Sequence, residues 1–149
     1  MNNSVYITKP RSTVQVKLNE QIVMEAPIGT TTEAFLTTAM QDKLIHIDAP
    51  LIACICDGKL RELTYPIYKD AEVQPITLAD SDGARIYRRS LILLLTTAVE
   101  SLFPTAHINV SYAVPNGGYY CEVKNRKPFT ANELTQIIDK MLAYVEQNM

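Results

Sequence analysis

With 149 residues, 47% of them hydrophobic and 20% charged, the chain has the composition of a soluble globular protein with room for one ordinary domain or two small ones. Residues 1–80 carry seven basic and ten acidic side chains and residues 81–149 seven and six, which excludes nucleic-acid binding driven by bulk charge; any RNA contact needs a local patch. No signal peptide opens the chain, and wholly apolar runs such as residues 91–95 are far short of the roughly 18–20 residues that span a bilayer, so a cytoplasmic protein without membrane contact is expected.

Residues 13–18 alternate in polarity with period two, Asn19-Glu20 can turn, and residues 21–25 return as a hairpin partner. Pro27-Ile28-Gly29 breaks this pattern. Thr30 followed by Glu33 has capping-box spacing, and Phe35, Leu36, Ala39 and Met40 supply the apolar stripe of a helix. Residues 51–56 form a continuous apolar run of strand length and are expected as the central strand, closed by the turn Asp57-Gly58 before a further strand at 59–63. Residues 70–77 give a last strand, in which Pro75 argues for an edge or a bulge. A small mixed sheet over one helix is expected.

Asp80-Ser81-Asp82-Gly83 reads as a turn-rich boundary. A helix is expected over residues 88–102, stopped by Pro104, then a strand at 107–114, the turn Pro115-Asn116-Gly117-Gly118 and a strand at 119–124. Thr130 with Glu133 makes a second capping box. It opens a long helix whose Leu134, Ile137, Ile138, Met141, Leu142 and Val145 keep the spacing of one buried face. That pattern runs to Met149 with no cap, so the sequence reads as the N-terminal part of a longer protein. Apolar helix faces left uncovered in such a part make homo-oligomers an expectation.

Three cysteines, Cys54, Cys56 and Cys121, lack the paired spacing of a disulfide framework or zinc site, and no metal is expected. In a strand Cys54 and Cys56 point to one face and read as core thiols. A nucleophilic Cys121 is disfavoured, because neither histidine is near it in sequence and Glu122 would not lower a thiol pKa. His46 and His107 are isolated and read as surface positions.

The ordered set formed by the hairpin, Ala26-Pro27-Ile28-Gly29-Thr30-Thr31, Asp57-Gly58-Lys59-Leu60-Arg61-Glu62-Leu63 and Asp70-Ala71-Glu72-Val73 resembles a TGS domain over residues 13–78. TGS domains occur in threonyl-tRNA synthetases, certain GTPases and stringent-response synthetases. The resemblance implies an α+β chain: a β-grasp (ubiquitin-like) domain over residues 1–80, then the first part of an editing-like domain over residues 81–149, similar to the second additional domain of threonyl-tRNA synthetases. Matches in that second part are Arg88, Ser90, Leu102-Phe103-Pro104, Gly117, Tyr119, Tyr120 and Pro128-Phe129-Thr130.

In the synthetase pattern two histidines, four residues apart on a helix, join a cysteine and a histidine further along to line the cleft that removes serine from mischarged tRNA. Here those two positions read Arg89 and Leu93. A guanidinium offers no lone pair and leucine has no polar atom, which excludes a histidine-based editing mechanism for this segment. The pattern's tyrosine-tyrosine-aspartate also becomes Tyr119-Tyr120-Cys121, followed by Glu122.

The altered wording looks more like bacterial uridine-kinase-like nucleoside kinases, in which the same two domains precede a P-loop kinase domain. That parent implies a non-catalytic regulatory or ligand-binding region, with ATP and magnesium used by a kinase domain in cis and downstream. No glycine of this chain fits G-x-x-x-x-G-K-[ST], so no cofactor is expected in the chain itself. A synthetase or tRNA-editing parent, and a TGS module docking protein or RNA, are the alternatives.

Arg88 and Arg89, near the start of the expected helix, would be disfavoured by its dipole by ~0.3–1 kcal/mol each. Ion pairs with Asp82, Glu100 or Glu122, or extension into solvent, is one account; an anion site for a nucleotide, phosphate or RNA backbone is the other. Arg88, Arg89, Ser90, Tyr119, Tyr120 and Glu122 are the candidate ligand residues, with one tyrosine exposed for base stacking. Lys124, Arg126 and Lys127 read as a solvated loop and candidate RNA contacts.

Overall fold

The computed structural model describes residues 9–147 and divides into two compact units, with the boundary after Tyr87. The first holds a five-stranded sheet built from β1 (Thr13–Lys17), β2 (Val23–Pro27), β3 (Leu51–Cys56), β4 (Lys59–Arg61) and β5 (Ala71–Thr77), in the order β2-β1-β5-β3-β4. One helix, α1 (Thr32–Gln41), packs on it. β1 and β5 run parallel and the other pairs antiparallel, a mixed sheet compatible with a β-grasp.

Alternation along β1 puts Val14 and Val16 inside and Gln15 and Lys17 outside. Those valines meet Phe35, Leu36 and Ala39 of α1 and Cys54, Cys56 and Val73 of the inner strands in one core. Both cysteines are buried, as their shared face requires, and burial pushes their thiols up.

The middle strand is β5, not β3. Pro75 fits because β1 pairs only with Ala71 and Glu72, so the β1 side of β5 is open where the proline falls, and the register with β3 shifts nearby, between Leu51 and Ala53. Asn19 Oδ1 accepts the amides of Gln21 and Ile22 at 2.9 Å, which holds both in the turn and delays β2 to Val23. β4 stops at Arg61 because the carbonyl of Leu63 turns to the start of α1, accepting from Glu33 N and from the buried Thr32 hydroxyl at 2.8 Å each. The N-cap of α1 is Thr31, whose hydroxyl accepts from Ala34 N; Thr30 instead donates its hydroxyl to Pro27 O at 2.8 Å. Asp57 (φ 49°) and Gly58 (φ 74°) form the tight β3–β4 turn, and Asp57 Oδ1 accepts from Glu72 N at 2.9 Å.

α2 (Ser81–Leu102) begins seven residues before the expected start. Asp80 organises that start: its carboxylate accepts from Thr77 N and Oγ1 at 2.7 Å, and its carbonyl from Ala84 N. Gly83 allows it, since a β-carbon there would lie 1.9 Å from Thr77 O. The turn residues at 80–83 are therefore a helix entrance. Arg88 and Arg89 stand beyond its first turn, where the dipole penalty has faded.

The second unit holds an antiparallel hairpin, β6 (His107–Ala113) and β7 (Tyr119–Lys124), joined through a 3₁₀ turn at Pro115–Gly117, followed by α3 (Ala131–Glu146). Ala98, Val99, Ala106 and Ile137 are its buried centre. The expected capping box of Thr130 and Glu133 is present in full. The apolar face of α3 is split, however. Ile137 is buried and Met141 and Tyr144 pack beside it, whereas Leu134, Ile138, Leu142 and Val145 are 49–58% exposed. α3 also has a C-cap, Gln147, whose amide bonds Ala143 O; the expected run to Met149 lies outside the described residues. No helix among the described residues is long and apolar enough to cross a membrane.

Candidate functional site

The outer face of the β6–β7 hairpin is polar and aromatic. Tyr120, Glu122 and Lys124 alternate outward on β7, as period two requires, while Tyr119, Cys121 and Val123 turn inward. On β6 the register shifts between Val110 and Tyr112, so that Val110 faces Cys121 and Tyr112 faces Tyr120. The extra residue, Ser111, changes the parity of the strand and carries Tyr112 to the outer face. The two rings stack with centroids 5.0 Å apart and planes 14° from parallel. Both stay open to solvent, Tyr112 at 59% and Tyr120 at 44%. Asn109 opposite Glu122 and His107 opposite Lys124 complete the face.

Behind the hairpin a cavity of about 270 Å³ is bounded by Arg88, Leu91, Ile92, Cys121 and Met141, with the backbone of Gly117 and Gly118 at one side. A β-carbon on Gly117 would stand 3.2 Å from Arg88 Nη1, and Gly117 has φ 81°, so glycine serves both the turn and the approach of the guanidinium. The Arg88 side chain forms no ion pair or hydrogen bond among the described residues. Of the ion-pair partners considered for the two arginines, Asp82 pairs instead with Arg85. Glu100 and Glu122 are exposed and make no ion pair with either arginine.

Arg89 lies on a different face of α2 from Arg88, exposed, one turn before Leu93, which is 68% exposed. Ser90 is exposed and does not line the cavity. Of the six candidate ligand residues the structure thus brings Arg88 and Tyr119 together at the cavity and places Tyr120 and Glu122 on the outer face. Arg89 and Ser90 belong to neither group. Tyr112 was not singled out by the sequence; Gly117 was, but only as part of the Pro-Asn-Gly-Gly turn and as a match to the synthetase pattern, not as a neighbour of Arg88.

Arg126 departs from the solvated-loop expectation. Its guanidinium donates to Glu133 Oε1 at 2.7 Å and lies over the rings of Phe103 and Phe129, 4.9 and 4.5 Å from their centroids. It clamps the β7–α3 connection, leaving Lys124 and Lys127 as the exposed cations of the trio. Arg126, then the Thr130 amide, hold the Glu133 carboxyl down at about 2. Because the folded value is depressed, the stabilisation is complete above the ordinary glutamate value of 4.5 and is lost as pH falls from there through about 2. A carboxyl NMR titration is expected to give Glu133 a midpoint near about 2, rising toward the ordinary value in Arg126→Ala. A wild-type midpoint at 4.5 would contradict the clamp.

No protein-family model matches the chain. It is similar to threonine-tRNA ligases: 31% identical over 136 residues to that of Solidesulfovibrio magneticus, covering 91% of this chain and 20% of that protein. It is 32% identical over 124 residues to that of Mycobacterium marinum, covering 83% and 18%, and 38% identical over 85 residues to that of Methylococcus capsulatus, covering 57% and 13%. The chain therefore spans about a fifth or less of the length of these relatives. These similarities match the threonyl-tRNA synthetase resemblance and give the expected nucleoside-kinase parent no support.

Proposed function

We propose that this chain is an N-terminal, threonyl-tRNA-synthetase-like region that holds single-stranded RNA without hydrolysing an aminoacyl ester, and that the outer face of the β6–β7 hairpin is its docking surface. The observation that carries this reading is the exposed Tyr112–Tyr120 stack, held in register by the bulge at Ser111. Exposed aromatic rings are sequence-tolerant platforms for bases, and Lys124 on the same face with Lys127 in the following loop supplies phosphate contacts. The names of the relatives, ligases acting with tRNA, support RNA as the partner.

The absence of hydrolysis follows from chemistry at Arg89 and Leu93. Neither side chain can accept a proton from water, and both stand in solvent on α2. Seryl-tRNA is therefore expected to keep its ester at the uncatalysed rate in the presence of the chain, while the RNA is bound. With two lysines at the phosphates, the logarithm of affinity should fall with the logarithm of salt with a slope of about −1.4, a shallow dependence. Binding assayed by fluorescence anisotropy across a salt series tests this. Accelerated ester loss, or no RNA binding at low salt, would overturn the reading, the second outcome leaving the tyrosine face to a protein partner.

A further inference from the structure

Arg88 presents a problem of charge that the RNA-docking face does not address. Its side chain is partly buried, it has no anionic partner among the described residues, and it borders a cavity whose other side-chain walls are Leu91, Ile92, Leu95, Tyr119, Cys121 and Met141. A cation set against aliphatic walls without a counter-ion is unfavourable, and an anion entering from solvent would relieve it. Cys121 stands on the wall of the same cavity, at the position where the synthetase wording has aspartate. Beside the guanidinium the chain thus offers a thiol where that wording would offer a carboxylate.

We propose that this cavity binds a small monocarboxylate with a short aliphatic body, its carboxylate on the Arg88 guanidinium and its chain among Leu91, Ile92 and Met141. The planar guanidinium matches a carboxylate with two parallel hydrogen bonds. A free phosphate is a poorer occupant, because a single arginine would face a dianion in an open, mainly apolar pocket. The volume of about 270 Å³ suits a ligand of a few carbons and is below the range of drug-sized sites. The Gly117 backbone at the guanidinium leaves the mouth of the cavity free of side-chain bulk at that point.

The full 149-residue chain can be titrated with butyrate, with butyramide, acetate and inorganic phosphate as comparisons at matched ionic strength, following the Gly117 and Gly118 amides by NMR and the melting temperature. Saturable butyrate shifts at both glycines are expected, weaker with acetate and absent with butyramide. Arg88→Gln should weaken butyrate binding roughly tenfold or more. Cys121→Asp, which supplies a carboxylate within the chain, should abolish the butyrate response while raising the melting temperature. Equal effects of butyrate and butyramide, equal effects of butyrate and phosphate, or an unchanged response in Cys121→Asp would each overturn the proposal. Should Arg88→Gln fail to fold, the Cys121→Asp comparison and the ligand series still decide it. Either result leaves the RNA-docking face untouched, because Tyr112 and Tyr120 lie on the opposite face of the hairpin from Tyr119 and Cys121.

Discussion

Gly83→Ala is expected to destabilise the first unit by about 3 kcal/mol, read as a fall in the denaturation midpoint of the full chain. Two effects oppose one another. Alanine is the better helix former, by about 0.8–1.0 kcal/mol, which on propensity alone would make the substitution stabilising. The added β-carbon, however, would sit 1.9 Å from the carbonyl oxygen of Thr77 and 2.7 Å from its carbon. These are backbone atoms at the end of β5, so no rotamer change can move them aside. The start of α2 must shift, and with it the bonds from Thr77 to Asp80. The steric cost wins. Gly58→Ala provides the contrast, since a β-carbon there meets nothing within 4 Å and only its left-handed φ of 74° opposes the change. It should cost about 1–2 kcal/mol. If Gly83→Ala were neutral or stabilising, the entrance of α2 described above would be wrong.

Ile137→Ala is expected to cost about 2–4 kcal/mol, whereas Ile138→Ala, one residue along the same helix, should stay within about 0.5 kcal/mol of wild type. Both substitutions gain the same small helix propensity, so the difference between them isolates burial. Ile137 is 2% exposed and closes the core formed with Ala98, Val99 and Ala106; Ile138 is 56% exposed. Similar losses at both positions would mean that the outer stripe of α3 is covered in solution, by a second copy or another surface. Melting temperatures taken across a range of protein concentration separate those cases.

The same pair of residues shows how much was legible in advance. Spacing placed Leu134, Ile137, Ile138, Met141, Leu142 and Val145 on one helix and one broad face, and the helix is there. Periodicity cannot say how wide a strip its neighbours cover, so only the side bearing Ile137 and Met141 found a core. Local polarity was enough for β1, β3, β6 and β7, because each forms a run whose alternation or continuity is written in adjacent residues. It failed for sheet order. The apolar run at β3 looked central, yet the parallel pairing of Val16 with Ala71 puts β5 in the middle, and no neighbouring residue encodes a contact so distant in the chain.

The site was legible in part for similar reasons. Alternation correctly separated Tyr119 and Cys121 from Tyr120. Tyr112 was invisible, since its outward position depends on a single extra residue in the ladder at Ser111. Arg126 looked solvated beside two lysines; Phe103, Phe129 and Glu133 capture it, and they approach only when the hairpin and α3 close on α2. Gly83 looked like a turn because glycine signals turns locally, whereas its role is to admit a distant carbonyl. The expectation that Arg89 and Leu93 stand where the synthetase pattern has histidines rests, by contrast, on two letters, and both side chains are exposed on α2.

The claim that the hairpin face holds RNA is tested most directly by the affinity of a labelled single-stranded RNA for the wild-type chain, Tyr120→Phe and Tyr120→Ala under one low-salt condition. Stacking on the ring predicts that Tyr120→Phe binds nearly as wild type and that Tyr120→Ala binds about 5- to 150-fold more weakly. Equal affinity in all three would contradict it.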